Sequence, residues 1–318
     1  MGRRESAILD VAAARGHDTA LASDGAAGSG PGDVLFLIGT ANYFPATFRR
    51  LARLRPEERP FVLLWHGEPL PAPRVSGLRP ARRHARELVK IALRDPRTTD
   101  PKSNFRRLRQ VLRAGLLDLV VVSTPWRQTF LAEQGIEAEW VPFGSFAPMG
   151  HDLGLQRDID VMFFGAQDVP RRRRIVERMR REGIHVRSEG QWGPKGLWGD
   201  ERTEVLNRTK IVLNLGRHPG ELSGMRLLTA MVCGACVLSE SIWDPRPFVP
   251  GVHYVDAPVE DLASAAAALL ADDERREMIA AAGHAFALAH PLSESVARII
   301  GLAEARAGRP ATPRAAGR

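Results

Sequence analysis

The sequence predicts an α/β protein built from two doubly wound parallel sheets. Three observations carry this. Short, continuously apolar runs recur with the length and composition of buried parallel strands. Longer segments of helical periodicity alternate with them. A Pro/Gly-rich stretch at 142–157, PFGSFAPMGHDLGLQR, separates one alternating series from a second.

In the first series, strands are expected at 19–22, 34–38, 61–65, 117–122 and 138–141. Helical patterns fall at 6–15, 46–54, 81–93, 105–113 and 125–134, with Gly16 and Gly135 where helices stop. In the second series, strands are expected at 159–164, 184–186, 211–215, 235–239 and 253–255. The helices between and after them are 170–181, 201–208, 224–232, 260–271, 273–287 and 292–305. Parallel strands need crossovers, and these are right-handed. The domains are therefore read as 1–145 and 146–306, with a frayed Pro/Ala/Gly/Arg tail at 307–318. Open sheets of this kind bind ligands beyond the carboxyl ends of their strands, so with two facing domains the site is expected in the cleft between them.

Composition narrows the classes. At 318 residues and 44% hydrophobic content the chain can bury two cores of ordinary size. No apolar run is long enough to span a bilayer, and the Arg-rich start lacks the apolar segment of a signal peptide. Cys233 and Cys236 are the only cysteines, so no disulfide framework exists and a cytoplasmic address is the default. Their C-x-x-C spacing places the first thiol at a helix end rather than a helix start, which argues for two buried apolar residues rather than a redox pair. The net charge is +8, and only four of the 45 basic residues are lysine. Arginine forks suit phosphate and carboxylate. The excess fits an anionic ligand, an acidic membrane surface or nucleic acid without choosing among them. Low aromatic content (6%) and the lack of a recognised binding motif argue against nucleic acid.

The stretch 211–240, IVLNLGRHPGELSGMRLLTAMVCGACVLSE, reads as a cradle for a diphosphate. A buried strand, Ile211 to Leu215, with Asn214 near its end, leads into a polar, Gly-rich loop, and a short apolar helix follows. Ser223 stands at the N-cap position, and Gly224 lets a ligand approach the backbone. A helix start offers unpaired N–H groups and positive potential, which suits a phosphate. Arg217, His218 and Arg226 add positive donors. Upstream, Gly165 turns the chain after strand 159–164, and Arg171, Arg172, Arg173 and Arg174 open the next helix. Basic residues at a helix start oppose its dipole, a mildly unfavourable placement that a bound anion relieves. In the first series, FVLLWHGEP ends a buried strand with His66 and Glu68 at its carboxyl tip, where a doubly wound sheet presents chemistry.

In their order these segments resemble the C-terminal half of group-1 glycosyltransferases of the GT-B fold, closest to the spore-maturation-type branch. The likeness runs over 158–290, and 118–145 resembles the end of that family's N-terminal domain. It implies transfer of a sugar from a nucleoside-diphosphate donor, with retained anomeric configuration, no metal and no cofactor beyond the donor itself. By that resemblance Glu221 contacts the donor sugar. Thr229 stands where the family has a second glutamate for the ribose, a departure, and Arg226 matches an arginine kept by a divergent branch. The corresponding strand of that branch ends in Trp and an acidic pair before Pro; here Gly67-Glu68 replaces the pair, so the match is partial. Glu68 is the expected group to orient or deprotonate an acceptor hydroxyl, and His66 to hydrogen-bond the donor. The N-terminal domain of that family begins with a strand and a Gly-rich turn; here either that strand is absent or the true start lies upstream.

The donor-binding set is thus Gly165, Arg171, Arg172, Asn214, Arg217, His218, Ser223, Gly224, Arg226 and Thr229. The expected partners are a nucleotide sugar and an unidentified acceptor, anionic or membrane-associated, with the protein in the cytoplasm or peripheral to the inner face of the membrane. A second reading is a degenerate GT-B protein that binds a nucleotide sugar or a partner without turnover; Thr229 and the short N-terminus motivate it.

Overall fold

The computed structural model describes residues 3–26, 28–71, 101–166, 169–190 and 196–307. The chain divides into two compact units. One comprises Leu9–Pro142 with Val296–Arg318, and the other Phe143–Ser295 with Met1–Ile8. The sequence-based division kept 146–306 together, whereas the end of the last helix clusters with the first unit.

The first unit holds a parallel sheet of β1 (Val34–Gly39), β2 (Phe61–His66), β3 (Leu119–Val122) and β4 (Glu139–Trp140), paired in chain order. β2 lies between two neighbours, so Val62 to His66 are all buried, and its apolar run FVLLW is what such a position requires. The helices are α1 (Arg3–Ala14), whose residues up to Ile8 cluster with the second unit, α2 (Pro45–Leu51), α3 (Pro101–Arg113) and α4 (Pro125–Glu133). Proline in the first turn of α2 and α4 pre-sets the helical φ where no N–H is needed. Leu37, Leu64, Leu108, Val111, Val120 and Leu131 belong to the core of this unit.

One expected strand is wrong. Residues 19–22 are exposed coil, and the first strand of the sheet is β1. The short, mostly apolar run Thr19–Ala22 has the composition of a buried strand but no neighbouring strand to complete its hydrogen bonds. The helix expected at 81–93 lies outside the described residues.

The second unit is a five-stranded parallel sheet in the order β6-β5-β7-β8-β9. Its strands are β5 (Ile159–Phe164), β6 (Val186–Glu189), β7 (Thr209–Asn214), β8 (Cys236–Glu240) and β9 (Val255–Ala257). Helices α5 (Pro170–Arg181), α6 (Gly199–Asn207), α7 (Gly224–Val232), α8 (Leu262–Ala271) and α9 (Asp273–Ala289) complete the alternation, and α10 (Leu292–Ala307) begins in this unit, its residues from Val296 belonging to the first. Successive residues of each central strand feed opposite cores. Val161, Phe163, Ile211 and Leu213 pack with Ile175 and Met179 of α5, while Met162 and Val212 pack with Leu206 of α6 and Leu227 of α7. Both faces are therefore covered. The strand order reverses between β5 and β7, which makes their carboxyl ends the topological switch point of this sheet.

Cys233 and Cys236 are both buried and free. Burial pushes their thiols up to about 11 and about 12, so neither is a thiolate at neutral pH.

Candidate functional site

The carboxyl ends of β5, β7 and β8 bring together residues far apart in the chain. β5 ends at Gly165, whose φ of 149° is open to glycine but strained for other residues. A Cβ there would stand 2.9 Å from Nη2 of Arg226. Arg226, in the first turn of α7, lies fully inside. Its Nε donates to the Phe164 carbonyl (3.0 Å), and its Nη1 donates to the Leu215 carbonyl (3.0 Å) and to Oδ1 of Asn214 (3.2 Å). Arg172 of α5 is buried beside it and donates from Nε to the carbonyls of Leu215 (2.9 Å) and Gly216 (3.3 Å). Both guanidinium groups stand over the Phe163 ring. The two arginines thus tie the end of β7 to β5 and α5.

The expectation that Arg226 is a donor aimed at the ligand needs revision, because its Nε and Nη1 are engaged by protein acceptors. Arg171 is likewise engaged. It pairs with Glu240 at the tip of β8, with Nη1 2.8 Å from Oε1 and Nη2 closing the second bond, and it donates to the Gly216 carbonyl (3.2 Å). Glu240 is 2% exposed and also accepts the Gly216 N–H at 2.6 Å. Asn214, at the end of β7, donates to the Ser239 hydroxyl at 2.9 Å.

Electrostatics distinguish this corner. Burial, then the charges of Arg172 and Arg217, push the Arg226 guanidinium well below its ordinary range. Burial, then Arg217, brings Arg172 down to about 10. Glu221, itself buried, and Glu240 oppose these effects. Four guanidinium groups, those of Arg171, Arg172, Arg217 and Arg226, therefore face two carboxylates. Arg217 is half-buried and makes neither a hydrogen bond nor a salt bridge among the described residues. His218 is half-buried next to it.

The start of α7 adjoins this cluster. Ser223 occupies the N-cap position but its side chain makes no capping bond; its carbonyl accepts from the N–H of Arg226 and Leu227. No described atom lies within 4 Å of where a side chain on Gly224 would begin. The Gly224 and Met225 N–H groups are thus not capped by the Ser223 side chain. Gly220, with φ of 71°, is held against the Trp243 ring, 2.2 Å from where a Cβ would stand, and this fixes the loop from β7 to α7. Thr229, deeper in α7, is 3% exposed.

The first unit has a second polar cluster at the carboxyl ends of β1 and β2. The Tyr43 hydroxyl donates to Oε1 of Glu68 at 2.9 Å. Asn104 of α3, fully buried, donates to the Pro69 carbonyl and accepts from Thr40 and Asn42. Arg127 of α4 donates to the Gly67 carbonyl at 3.0 Å. His66 is wholly buried, and neither ring nitrogen has a hydrogen-bond partner among the described residues. Burial, reinforced by the Arg127 charge and opposed by the Glu68 backbone, lowers His66 to about 3. It is a neutral imidazole beneath the loop that carries Glu68, rather than a group presented to a ligand. A cavity of about 610 Å³ in this unit lies at the opposite, amino ends of β1 and β2, lined by Asp33, Arg59 and Asp118 among others.

The structure therefore gathers Gly165, Arg171, Arg172, Asn214, Arg217, Glu221 and Arg226 at one corner of the second unit, and His66 with Glu68 at one corner of the first. Glu240, Asn104, Tyr43 and Arg127 were not singled out from the sequence. Glu240 had a signal, since it immediately follows a predicted buried strand at the sheet's ligand edge.

A family model described as glycosyl transferase-like matches residues 171–300. No curated protein matches the chain. Among solved structures, TarM superposes with a TM-score of 0.60 at 10% identity, over 85% of this chain and 54% of that one. The pneumococcal O-GlcNAc transferase GtfA, in complex with UDP and GlcNAc, gives 0.57 at 10% identity, over 97% and 61%. Anabaena Alr3699/HepE in complex with UDP-glucose gives 0.54 at 11% identity, over 86% and 79%. The chain adopts the GT-B fold. It spans just over half the length of TarM and about three-fifths that of GtfA. In GT-B terms, the family match lies almost wholly within the second unit and contains the arginine corner. No helix among the described residues is long and apolar enough to cross a membrane.

Proposed function

We propose that the protein is a nucleotide-sugar-dependent glycosyltransferase that takes up its donor diphosphate at the arginine corner of the second unit. One observation carries the reading: Arg217, which makes no hydrogen bond or salt bridge among the described residues, stands beside two buried arginines, where the strand order reverses and a helix begins. Positive charge in excess of local carboxylates is unfavourable unless an anion shares the site. Loss of the sugar leaves negative charge on the diphosphate, and fixed cations and helix N–H groups stabilise that charge as it develops. The glycosyl transferase-like match and the UDP and UDP-glucose complexes of GtfA and HepE support the donor class.

In this reading Arg217 and His218 meet the phosphates together with the open turn at Ser223 and Gly224. Arg172 and Arg226 supply a fixed field from behind, and Glu221 receives the sugar. Glu68, held by Tyr43, orients the acceptor hydroxyl. The reaction retains configuration and uses neither metal nor further cofactor. The chain belongs with the spore-maturation-type branch, and the acceptor is anionic or membrane-associated. A non-catalytic binder is the competing reading, favoured by the buried Thr229, whose single hydroxyl replaces a carboxylate able to hold both ribose hydroxyls.

The test is a thermal-shift screen against nucleoside diphosphates and their sugars, followed by titration of Arg217→Ala. A bound diphosphate raises the melting temperature by mass action. Arg217→Ala should melt as the wild type does and bind about 10- to 100-fold more weakly, the worth of one charge-assisted contact. No response to any diphosphate, or unchanged affinity in the variant, overturns the assignment. Release of free nucleoside diphosphate from a labelled donor separates turnover from binding alone.

A further inference from the structure

Helix α3 carries a charge pattern that neither its packing nor the donor site uses. Its sequence, PKSNFRRLRQVLR, contains five cations and no carboxylate. Lys102, Arg106, Arg109 and Arg113 follow one another at four, three and four residues. At 100° per residue this confines them to a stripe roughly 60° wide and about 16 Å long. Asn104, Leu108 and Val111, buried in the unit's core, occupy the opposite side of the helix, so the stripe points away from the unit. None of these four cations has a side-chain hydrogen bond or salt bridge among the described residues; Arg109 only leans over the Phe105 ring. Arg107, at the margin, is disfavoured by burial and by the charge of Arg49 on α2, which adds a further exposed arginine nearby.

Like charges three and four residues apart destabilise a helix by a few tenths of a kcal/mol per pair. Elsewhere the same chain relieves such strain: α5 pairs Arg173 with Glu177, and Arg178 pairs with Glu182 just after its end. On α3 the repulsion is left standing.

We propose that the Lys102–Arg106–Arg109–Arg113 face of α3 docks the protein on a bilayer surface rich in acidic phospholipid. A straight row of cations on a convex helix matches a flat anionic plane. A linear polyanion is instead gripped by cations on two walls of a groove. Stacking of bases needs exposed aromatic rings, and Phe105 packs against Phe130. Binding is electrostatic and shallow, because the apolar side of α3 is committed to the core. This inference is independent of the donor-site reading and can stand or fall without it.

The experiment is co-sedimentation of the full chain with phosphatidylcholine vesicles and with mixed phosphatidylglycerol–phosphatidylcholine vesicles, at low and physiological salt. Binding is expected only to the mixed vesicles and should weaken as salt rises. The double variant Arg106→Gln/Arg109→Gln should bind about 25-fold more weakly, about fivefold per cation removed. Arg275→Gln/Arg298→Gln, on other helices, removes the same net charge and should bind as the wild type does. Circular dichroism melting checks that both variants fold. Equal binding to neutral vesicles, equal loss in the two variants, unchanged binding of the α3 variant, or displacement by charge-matched soluble polyphosphate as effective as by acidic vesicles would each overturn the proposal.

Discussion

Replacing Glu240 by glutamine separates the stability of the arginine corner from its affinity. The carboxylate is 2% exposed and accepts from Gly216 N–H and from both terminal nitrogens of Arg171. Glutamine keeps one oxygen for Gly216 but turns an amide N–H₂ toward the guanidinium, so one charge-assisted bond becomes a donor–donor contact. Breaking one partner of a buried pair removes roughly 3–5 kcal/mol. Arg171 is 24% exposed and can turn to water, which reduces the loss to about 2–3 kcal/mol. Urea unfolding followed by circular dichroism should show the midpoint falling by about 1 M. The affinity for a nucleoside diphosphate should move the other way. Removing a negative charge leaves Arg171, Arg172, Arg217 and Arg226 less balanced, so the ligand binds more tightly. A variant as stable as the wild type, or one that is folded yet binds diphosphate more weakly, would refute the view that Glu240 is the counter-charge of a site built for an anion.

Three further outcomes follow from the same geometry. His66 is held neutral in the folded chain down to about pH 3 but titrates near 6.5 when unfolded. The unfolded state therefore binds more protons between these values, and stability falls as pH drops through that window, by up to about 5 kcal/mol. His66→Gln should flatten this part of the stability–pH curve. Gly165→Ala places a methyl group 2.9 Å from an Arg226 guanidinium fixed by three acceptors, at a φ unfavourable to alanine. A loss of roughly 1–3 kcal/mol in urea unfolding is expected, and a neutral effect would show that Arg226 is free to move. Cys233 and Cys236 should resist thiol reagents in the native protein and react promptly once it is unfolded; rapid labelling of native protein would contradict their burial.

Much of the second unit was legible in the sequence. The runs at 159–164, 170–181 and 224–232 have the bounds expected of them, because continuous apolar strands and well-marked helix starts are local signals. Residues 19–22 failed because a strand is defined by its neighbours, and a four-residue, mostly apolar run says nothing about whether a neighbour exists. The site was legible as a region but not as a set of roles. Arg226 and Arg217 look alike in sequence, yet one is bound to the carbonyls of Phe164 and Leu215 and the other makes no hydrogen bond or salt bridge among the described residues. Glu240 reads as an ordinary residue after a strand until folding brings Arg171, 69 positions away, onto it. Ser223 has the residue type of a cap without making the bond. His66 has the type of a catalytic base, but burial strips it of that chemistry.

The bonds of Arg172 and Arg226 to main-chain carbonyls have a kinetic consequence. Their rotamers are frozen during folding, so an arriving anion meets a potential that is already in place and freezes no torsions in either side chain. Encounter should be quick and steered at long range, while the lifetime of the complex is governed by how firmly the one unanchored guanidinium, Arg217, closes on its guest.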